Sequence, residues 1–369
     1  MRVCIESQPL NHHRRSGLMT YTEGLINSVY QQNVADEYTL AYFSLKRNTN
    51  DMPGPTGNGF KKIVLRVPDW DFPFRIEFLN KIVLPDFFKK NKIDVFHRPN
   101  GYYMPESRKV FKVLTVHDLR TLTIGDQKWS QNIDHYHATL NKLDVCVVVS
   151  ECTKRDMLEH FHIDEKKIKV VYLAADERFK PASLIKINEM KTKYALNERF
   201  LLSVGSVPRK NIDGIIKGFA GSKAKNDFIL VLGCNQDIEK YTQLAKSLNV
   251  FERIRILPDL TDEEMVSLYT ACHCFVFPSL YEGFGLPILE AMQCGAPVIT
   301  ANMSSCPEVA ADAAILTDPK NYPEISAAID QICGNESFRQ ELIRKGSIRC
   351  KEFSWNQYGV EMKKIYDLA

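Results

Sequence analysis

The sequence predicts an α/β protein built as two doubly wound parallel-sheet domains. Short β-branched runs alternate with longer helical stretches from one end of the 369-residue chain to the other, the pattern of parallel strands covered by helices. That length suits two domains of ordinary size better than one core. Residues 176–196 lose the strand periodicity, are polar and carry Pro181, which marks a linker between the two series.

The expected strands of the first series are Arg2 to Ile5, Thr39 to Phe43, Ile63 to Val67, Ile93 to Phe96, Phe111 to Val116, Asp144 to Val149 and Ile168 to Tyr172. Those of the second are Phe200 to Val204, Phe228 to Leu232, Ile254 to Leu257, Cys274 to Phe277 and Val298 to Thr300. The domains are therefore expected at 1–175 and 197–352, with an amphipathic helix at 353–369 placing Tyr358, Met362, Ile365 and Tyr366 on one side.

Composition narrows the function classes. A chain that is 44% apolar and 25% charged is a soluble globular protein, and a net charge of +3 offers no electrostatic support for a nucleic-acid partner. The N-terminus shows no signal-peptide pattern, so the ten cysteines are read as reduced cytosolic thiols. No Cys-x-x-Cys occurs, and Cys272 and Cys274 are read as core residues rather than a zinc pair. No apolar run reaches the roughly 18 to 20 residues that span a bilayer, so the expected location is cytoplasmic and any membrane contact peripheral. Lys89-Lys90-Asn91-Lys92 could touch anionic lipid heads, or simply be solvated.

The most informative stretch is residues 274–300, CFVFPSLYEGFGLPILEAMQCGAPVIT, a strand, loop, helix and strand in succession. Pro287 suits a first helical turn, and Gly295 with Pro297 suits the helix end. The loop thus lies on the carboxyl edge of a parallel strand, where ligands of open α/β sheets bind. Glu282 in the loop and Glu290 in the helix can face one ligand from two sides. Gly283 and Gly285 allow close approach, so the amides of Phe284, Gly285 and Leu286 could bind hydroxyl or phosphate oxygens. The bland alternative is a surface turn with a solvated glutamate.

A second edge follows Phe200 to Val204, where Gly205-Ser206-Val207-Pro208-Arg209-Lys210-Asn211 leads into a helix. Two cations at a helix N-terminus oppose its dipole unless an anion sits there, and a diphosphate would supply one. In the first half, the strand Val113 to Val116 delivers His117 and Asp118 to its edge, and strand one leads through Ser7 to Ser16 into Gly17. His12-His13-Arg14-Arg15 is either a mobile basic loop or a face for an anionic acceptor. Asp69-Trp70-Asp71 spells a metal-holding carboxylate pair, but Pro68 and Pro73 bracket it away from every edge, and chance is the better explanation.

Glu282-Gly283-Phe284-Gly285-Leu286-Pro287-Ile288-Leu289-Glu290 resembles the E-x7-E signature of glycosyltransferase family 4. Val204-Gly205 to Arg209-Lys210-Asn211 is similar to that family's diphosphate loop, although some relatives carry arginine where this chain has Ser206. Thr115-x-His117-Asp118-Leu119 resembles a family segment whose histidine lies over the donor sugar. The resemblance runs in order along nearly the whole chain, to Phe353-Ser354-Trp355.

It implies a GT-B fold, two Rossmann-like domains facing a central cleft, with the last helix packing back on the first domain. It implies a retaining hexosyltransferase moving a sugar from GDP-mannose or a UDP-sugar to a saccharide or lipid-linked saccharide in surface polysaccharide or lipopolysaccharide assembly. Glu282 would bond sugar hydroxyls, Phe284 to Leu286 the sugar and phosphate, and Glu290 the ribose. Arg209 and Lys210 would oppose leaving-group charge, and Gly17 would let backbone approach the phosphates. No metal or other cofactor is expected, and hinge closure would exclude water. Two other readings stay open: a nucleotide-sugar 2-epimerase on the same architecture and a non-catalytic nucleotide-binding module.

Overall fold

The computed structural model describes all residues except 12–15, 45–48, 56–58, 68–73, 102 and 124–132. The basic loop His12 to Arg15 and the Asp69-Trp70-Asp71 pair lie outside the described residues. The chain divides into two compact units, one of residues 1–173 with 354–369 and one of residues 174–353.

The first unit is a seven-stranded parallel sheet in the order β3-β2-β1-β4-β5-β6-β7. Its strands are β1 Arg2–Glu6, β2 Glu37–Phe43, β3 Phe60–Leu65, β4 Val95–Arg98, β5 Phe111–Val116, β6 Val145–Val148 and β7 Ile168–Val170. The second is a six-stranded parallel sheet in the order β10-β9-β8-β11-β12-β13. It comprises β8 Phe200–Val204, β9 Ile229–Gly233, β10 Ile254–Leu257, β11 Cys274–Phe277, β12 Val298–Ala301 and β13 Ala314–Thr317. Helices cover both faces of such sheets, which is why β4, β6, β11 and β12 are buried along their whole length and β6 and β11 read as unbroken apolar runs.

In each sheet the strand order reverses once, between β1 and β4 and between β8 and β11. Loops leaving the carboxyl ends of such neighbours open a crevice, the usual ligand position of this architecture. The loop after β1 leads to Gly17. Those after β8 and β11 carry Arg209, Lys210 and Glu282.

Two expectations change. The segment 176–196 is no bare linker: the helix Leu184–Lys193 packs on the helix Asp262–Ala271, and the segment belongs to the second unit. A thirteenth strand, β13, extends the second sheet beyond the twelve read from sequence. The last helix, Trp355–Tyr366, packs on the first helix, Gly17–Gln32, and closes the first unit. Small residues make that contact. A Cβ added to Gly24 would lie 2.4 Å from the Trp355 ring, and one added to Gly359 would lie 2.5 Å from the carbonyl oxygen of Ser28. All ten cysteines are free and nine are buried. Cys274 opens β11, while Cys272 caps the preceding helix rather than alternating with it along a strand. Among the described residues no helix is long and apolar enough to cross a membrane.

Candidate active site

In the second unit, the adjacency of β8 and β11 brings together side chains 72 residues apart in sequence. Lys210 Nζ donates to Glu282 Oε1 at 2.7 Å, and Arg209 Nη1 reaches Glu282 Oε2 at 2.7 Å. Ser279 Oγ donates to the same Oε1 at 2.6 Å. The two loops also interlock through backbone, since the carbonyl of Arg209 accepts from Leu280 N at 2.8 Å, and Ser279 Oγ, sharing its one proton with Glu282, lies 2.9 Å from the same carbonyl oxygen. Glu282 is only 5% exposed. Burial alone would raise its carboxyl, yet the charges of Lys210 and Arg209 hold it below the ordinary value. Burial lowers the Lys210 ammonium, and Glu282 opposes that shift.

The anion assigned from sequence to a diphosphate is thus, in this structure, the carboxylate of Glu282. Two cations share one anion, so the cluster carries a net positive charge. Arg209 Nε has no hydrogen-bond partner and is buried. Local backbone serves this cluster. Gly205 has φ +133°, and a Cβ there would lie 2.4 Å from Cγ of Lys210, so glycine is required twice over. Asn211 turns the chain at φ 59° and donates to the carbonyls of Pro278 at 3.1 Å and Pro319 at 2.7 Å. Its side chain, so occupied, leaves the helix Ile212–Gly221 without a side-chain cap.

The helix Leu286–Gln293 likewise begins without one, at Gly285 with φ 99°. Helix N-termini lacking caps carry first-turn amides with no partner inside the helix, and their dipoles favour anions. Gly283, Phe284 and Gly285 are buried, and the loop is pinned by Ser305, whose single hydroxyl proton is shared between the carbonyls of Glu282 at 2.9 Å and Phe284 at 2.8 Å. Ser304 Oγ accepts from Glu282 N at 2.9 Å. Phe284 stands edge-on to Phe353 at 5.7 Å.

Glu290, in the helix Leu286–Gln293, does not join the ion-paired cluster and accepts from the Tyr269 hydroxyl at 3.3 Å. Burial raises its carboxyl to about 7, against the opposing effects of Tyr269 and Lys210. At neighbouring strand ends, Ser206 Oγ accepts from Asn235 N and Asn235 Oδ1 accepts from Asp259 N, both at 2.7 Å. Ser206 and Asn235 together therefore tie the loops after β8, β9 and β10 to one another. Tyr269, Ser279, Ser304 and Ser305 were not singled out from sequence. Ser279, three residues before Glu282 at a strand end, carried a signal; the others pair only through the fold.

The remaining candidates lie in the first unit. Gly17 is the first residue of its helix, Ser16 caps it, and a Cβ at Gly17 would meet nothing within 4 Å. His117 follows β5, and its Nε2 lies 2.9 Å from the carbonyl oxygen of Pro99. A carbonyl only accepts, so Nε2 carries the proton, and burial lowers the ring's pKa, keeping it neutral with Nδ1 as the lone-pair nitrogen. Asp118 Oδ1 accepts from Arg120 N at 3.4 Å, a local turn contact. His97 and Arg98 lie inside β4 and are buried, and Arg98 pairs with Glu6. Lys89 and Lys90 are exposed, and Lys90 pairs with Asp86 at 2.7 Å.

Comparison with known proteins agrees along the chain. Residues 38–179 match the model of Glycosyltransferase Family 4, and residues 186–349 match Glycosyl transferases group 1. The O-antigen chain mannosyltransferase B of Escherichia coli is 31% identical over 286 residues, covering 74% of each chain. Among solved structures, sucrose-phosphate synthase from Thermosynechococcus elongatus superposes with a TM-score of 0.77 at 17% identity, covering 100% of this chain and 98% of that one. Anabaena HepE, in complex with UDP-glucose, gives 0.75 at 16% identity with both chains fully covered. The two parallel-sheet units and these neighbours establish the GT-B fold.

Proposed function

The chain belongs to the group 1 glycosyl transferases of glycosyltransferase family 4, and from that premise we propose that it moves mannose from GDP-mannose to a saccharide or lipid-linked saccharide acceptor, with the donor's anomeric configuration retained. The mannosyl choice is supported by the name of the Escherichia coli relative. A nucleoside-diphosphate sugar is also the class of ligand bound by the Anabaena neighbour.

The observation that carries the reading is the cluster of Arg209, Lys210 and Glu282 beside two uncapped helix N-termini at the strand-order reversal of the second sheet. On donor binding, Arg209 and Lys210 turn part of their hydrogen bonding to the diphosphate, and Glu282, still held by Ser279, is released to sugar hydroxyls. As the glycosidic bond breaks, negative charge develops on the diphosphate, where the two cations and the first-turn amides stabilise it. These groups oppose the charge that a divalent ion would otherwise neutralise, so the reaction proceeds without a metal. Glu290 holds the ribose, Gly17 is assigned to the donor phosphates and His117 to the donor sugar. The acceptor hydroxyl attacks the anomeric carbon on the leaving-group face and passes its proton to the departing diphosphate.

A thermal-shift screen of GDP, UDP, GDP-mannose and UDP-glucose tests the donor. GDP-mannose is expected to stabilise most, and a larger shift with a UDP-sugar would reassign the base and sugar together.

A further inference from the structure

Beside His117, the first unit contains a buried polar chain that the roles assigned above do not use. Tyr366 Oη meets His97 Nδ1 at 2.6 Å, and His97 Nε2 meets Thr115 Oγ1 at 2.8 Å. Thr115 Oγ1 meets Tyr21 Oη at 2.7 Å, and Tyr21 Oη meets Tyr358 Oη at 2.7 Å. All five side chains are at most 1% exposed. The two interior hydroxyls, of Thr115 and Tyr21, each donate once and accept once, and a neutral imidazole offers one donor and one acceptor, so every interior member is satisfied in either direction. His97 is neutral, because burial pulls its pKa down to about 3. Fully paired buried networks rigidify the groups they join.

This network ties three parts of the unit together: the ends of β4 and β5, the first helix through Tyr21, and the last helix through Tyr358 and Tyr366. Tyr21 also stands edge-on to His117, with ring centroids 4.4 Å apart and planes at 83°. The hydrogen bond from Nε2 to Pro99 fixes one point of the imidazole but leaves the ring free to swing about it. An aromatic edge packed against the ring removes that freedom.

Resting on the reading of His117 as a donor-sugar contact, we propose that Tyr21 is a positioning residue for His117, and that the last helix holds Tyr21 in place through Tyr358. The last helix is then part of the machinery of transfer as well as a cover for the first helix.

The test is a set of variants compared in two backgrounds, native and His117→Ala, with kcat, donor KM and thermal midpoint measured for each. Tyr21→Leu removes the ring edge, while Tyr21→Phe keeps the ring and deletes both hydroxyl bonds. With His117 present, Tyr21→Leu is expected to lower kcat on the order of ten-fold, within the coupling range of contacting groups, with donor KM little changed. In the His117→Ala background that loss should vanish. Tyr21→Phe and Tyr358→Phe should give smaller losses that vanish in the same way, and they carry the comparison if Tyr21→Leu fails to fold.

An equal loss in both backgrounds, or no loss in either, overturns the proposal. If His117→Ala itself leaves kcat of the folded enzyme unchanged, the reading of His117 falls. The positioning claim is still decided by 15N relaxation of the His117 imidazole, which should show a rigid ring in the native chain and a mobile one in Tyr21→Leu. Unchanged ring mobility would refute it.

Discussion

Replacing Glu282 by alanine exposes the central electrostatic feature of the second unit. The substitution leaves Lys210, 12% exposed, and Arg209, 18% exposed, without the carboxylate that both now share. Removing one partner of a buried ion pair costs about 3–5 kcal/mol, because the remaining charge stays desolvated and unpaired. For a unit of this size each kcal/mol moves the thermal midpoint by about 2–4 °C, so the expected fall is on the order of 6–20 °C. The freed cations should then prefer an external anion. A nucleoside diphosphate at a hundred times its dissociation constant contributes about 2.7 kcal/mol, and at equal concentration it should raise the midpoint of Glu282→Ala more than that of the native chain, where the ligand competes with Glu282. Differential scanning fluorimetry with and without GDP reads both effects. A midpoint within about 2 °C of native would refute the buried pair, since even 1 kcal/mol should move it that far. Equal ligand shifts in both proteins would show that the diphosphate does not share these cations.

Arg209→Ala and Lys210→Ala should each lower transfer strongly, and the double variant should lose less than the sum because both act on one leaving group; additive losses in kcat/KM would place them at separate sites. Burial raises Glu290 to about 7, so its contribution to stability is full below its ordinary value of 4.5 and is lost as pH rises through about 7. Glu290→Gln should therefore flatten the dependence of the thermal midpoint between about pH 5 and pH 8, and an unchanged slope would contradict the assignment. Gly205→Ala, at φ +133° and against Lys210, should cost about 1–3 kcal/mol and weaken GDP binding; native affinity in calorimetry would show that Lys210 is not held by this turn. Gly359→Ala drives a methyl into the Ser28 carbonyl and should destabilise the first unit by about 1–3 kcal/mol, measured by urea unfolding, while a neutral change would mean the two helices separate readily.

What could be read in advance was what local chemistry determines. The strand, loop and helix around Glu282 carried their own start and stop signals in Pro287 and Gly295, and the helix was found at Leu286–Gln293, within a residue of expectation. The pairing of Glu282 with Arg209 and Lys210 was not legible, because only the placement of β8 beside β11 joins segments 72 residues apart. The same applies to Tyr269 with Glu290. The strand β13 was missed because Ala314–Thr317 is short and only its last residue is buried, which leaves no periodic contrast. The helix Leu184–Lys193 was taken for linker because its apolar pattern misleads: Leu184 and Ile185 are 77% and 69% exposed, and Met190 alone is buried.

One reaction decides the proposed metal-independent transfer with retention. The protein is incubated with GDP-mannose and a saccharide acceptor in excess EDTA, and the first-formed product is read by NMR through the one-bond carbon–proton coupling at the new anomeric centre. An α-mannoside formed at an undiminished rate is expected. A β-linked product, or activity abolished by the chelator and restored by manganese, would contradict it.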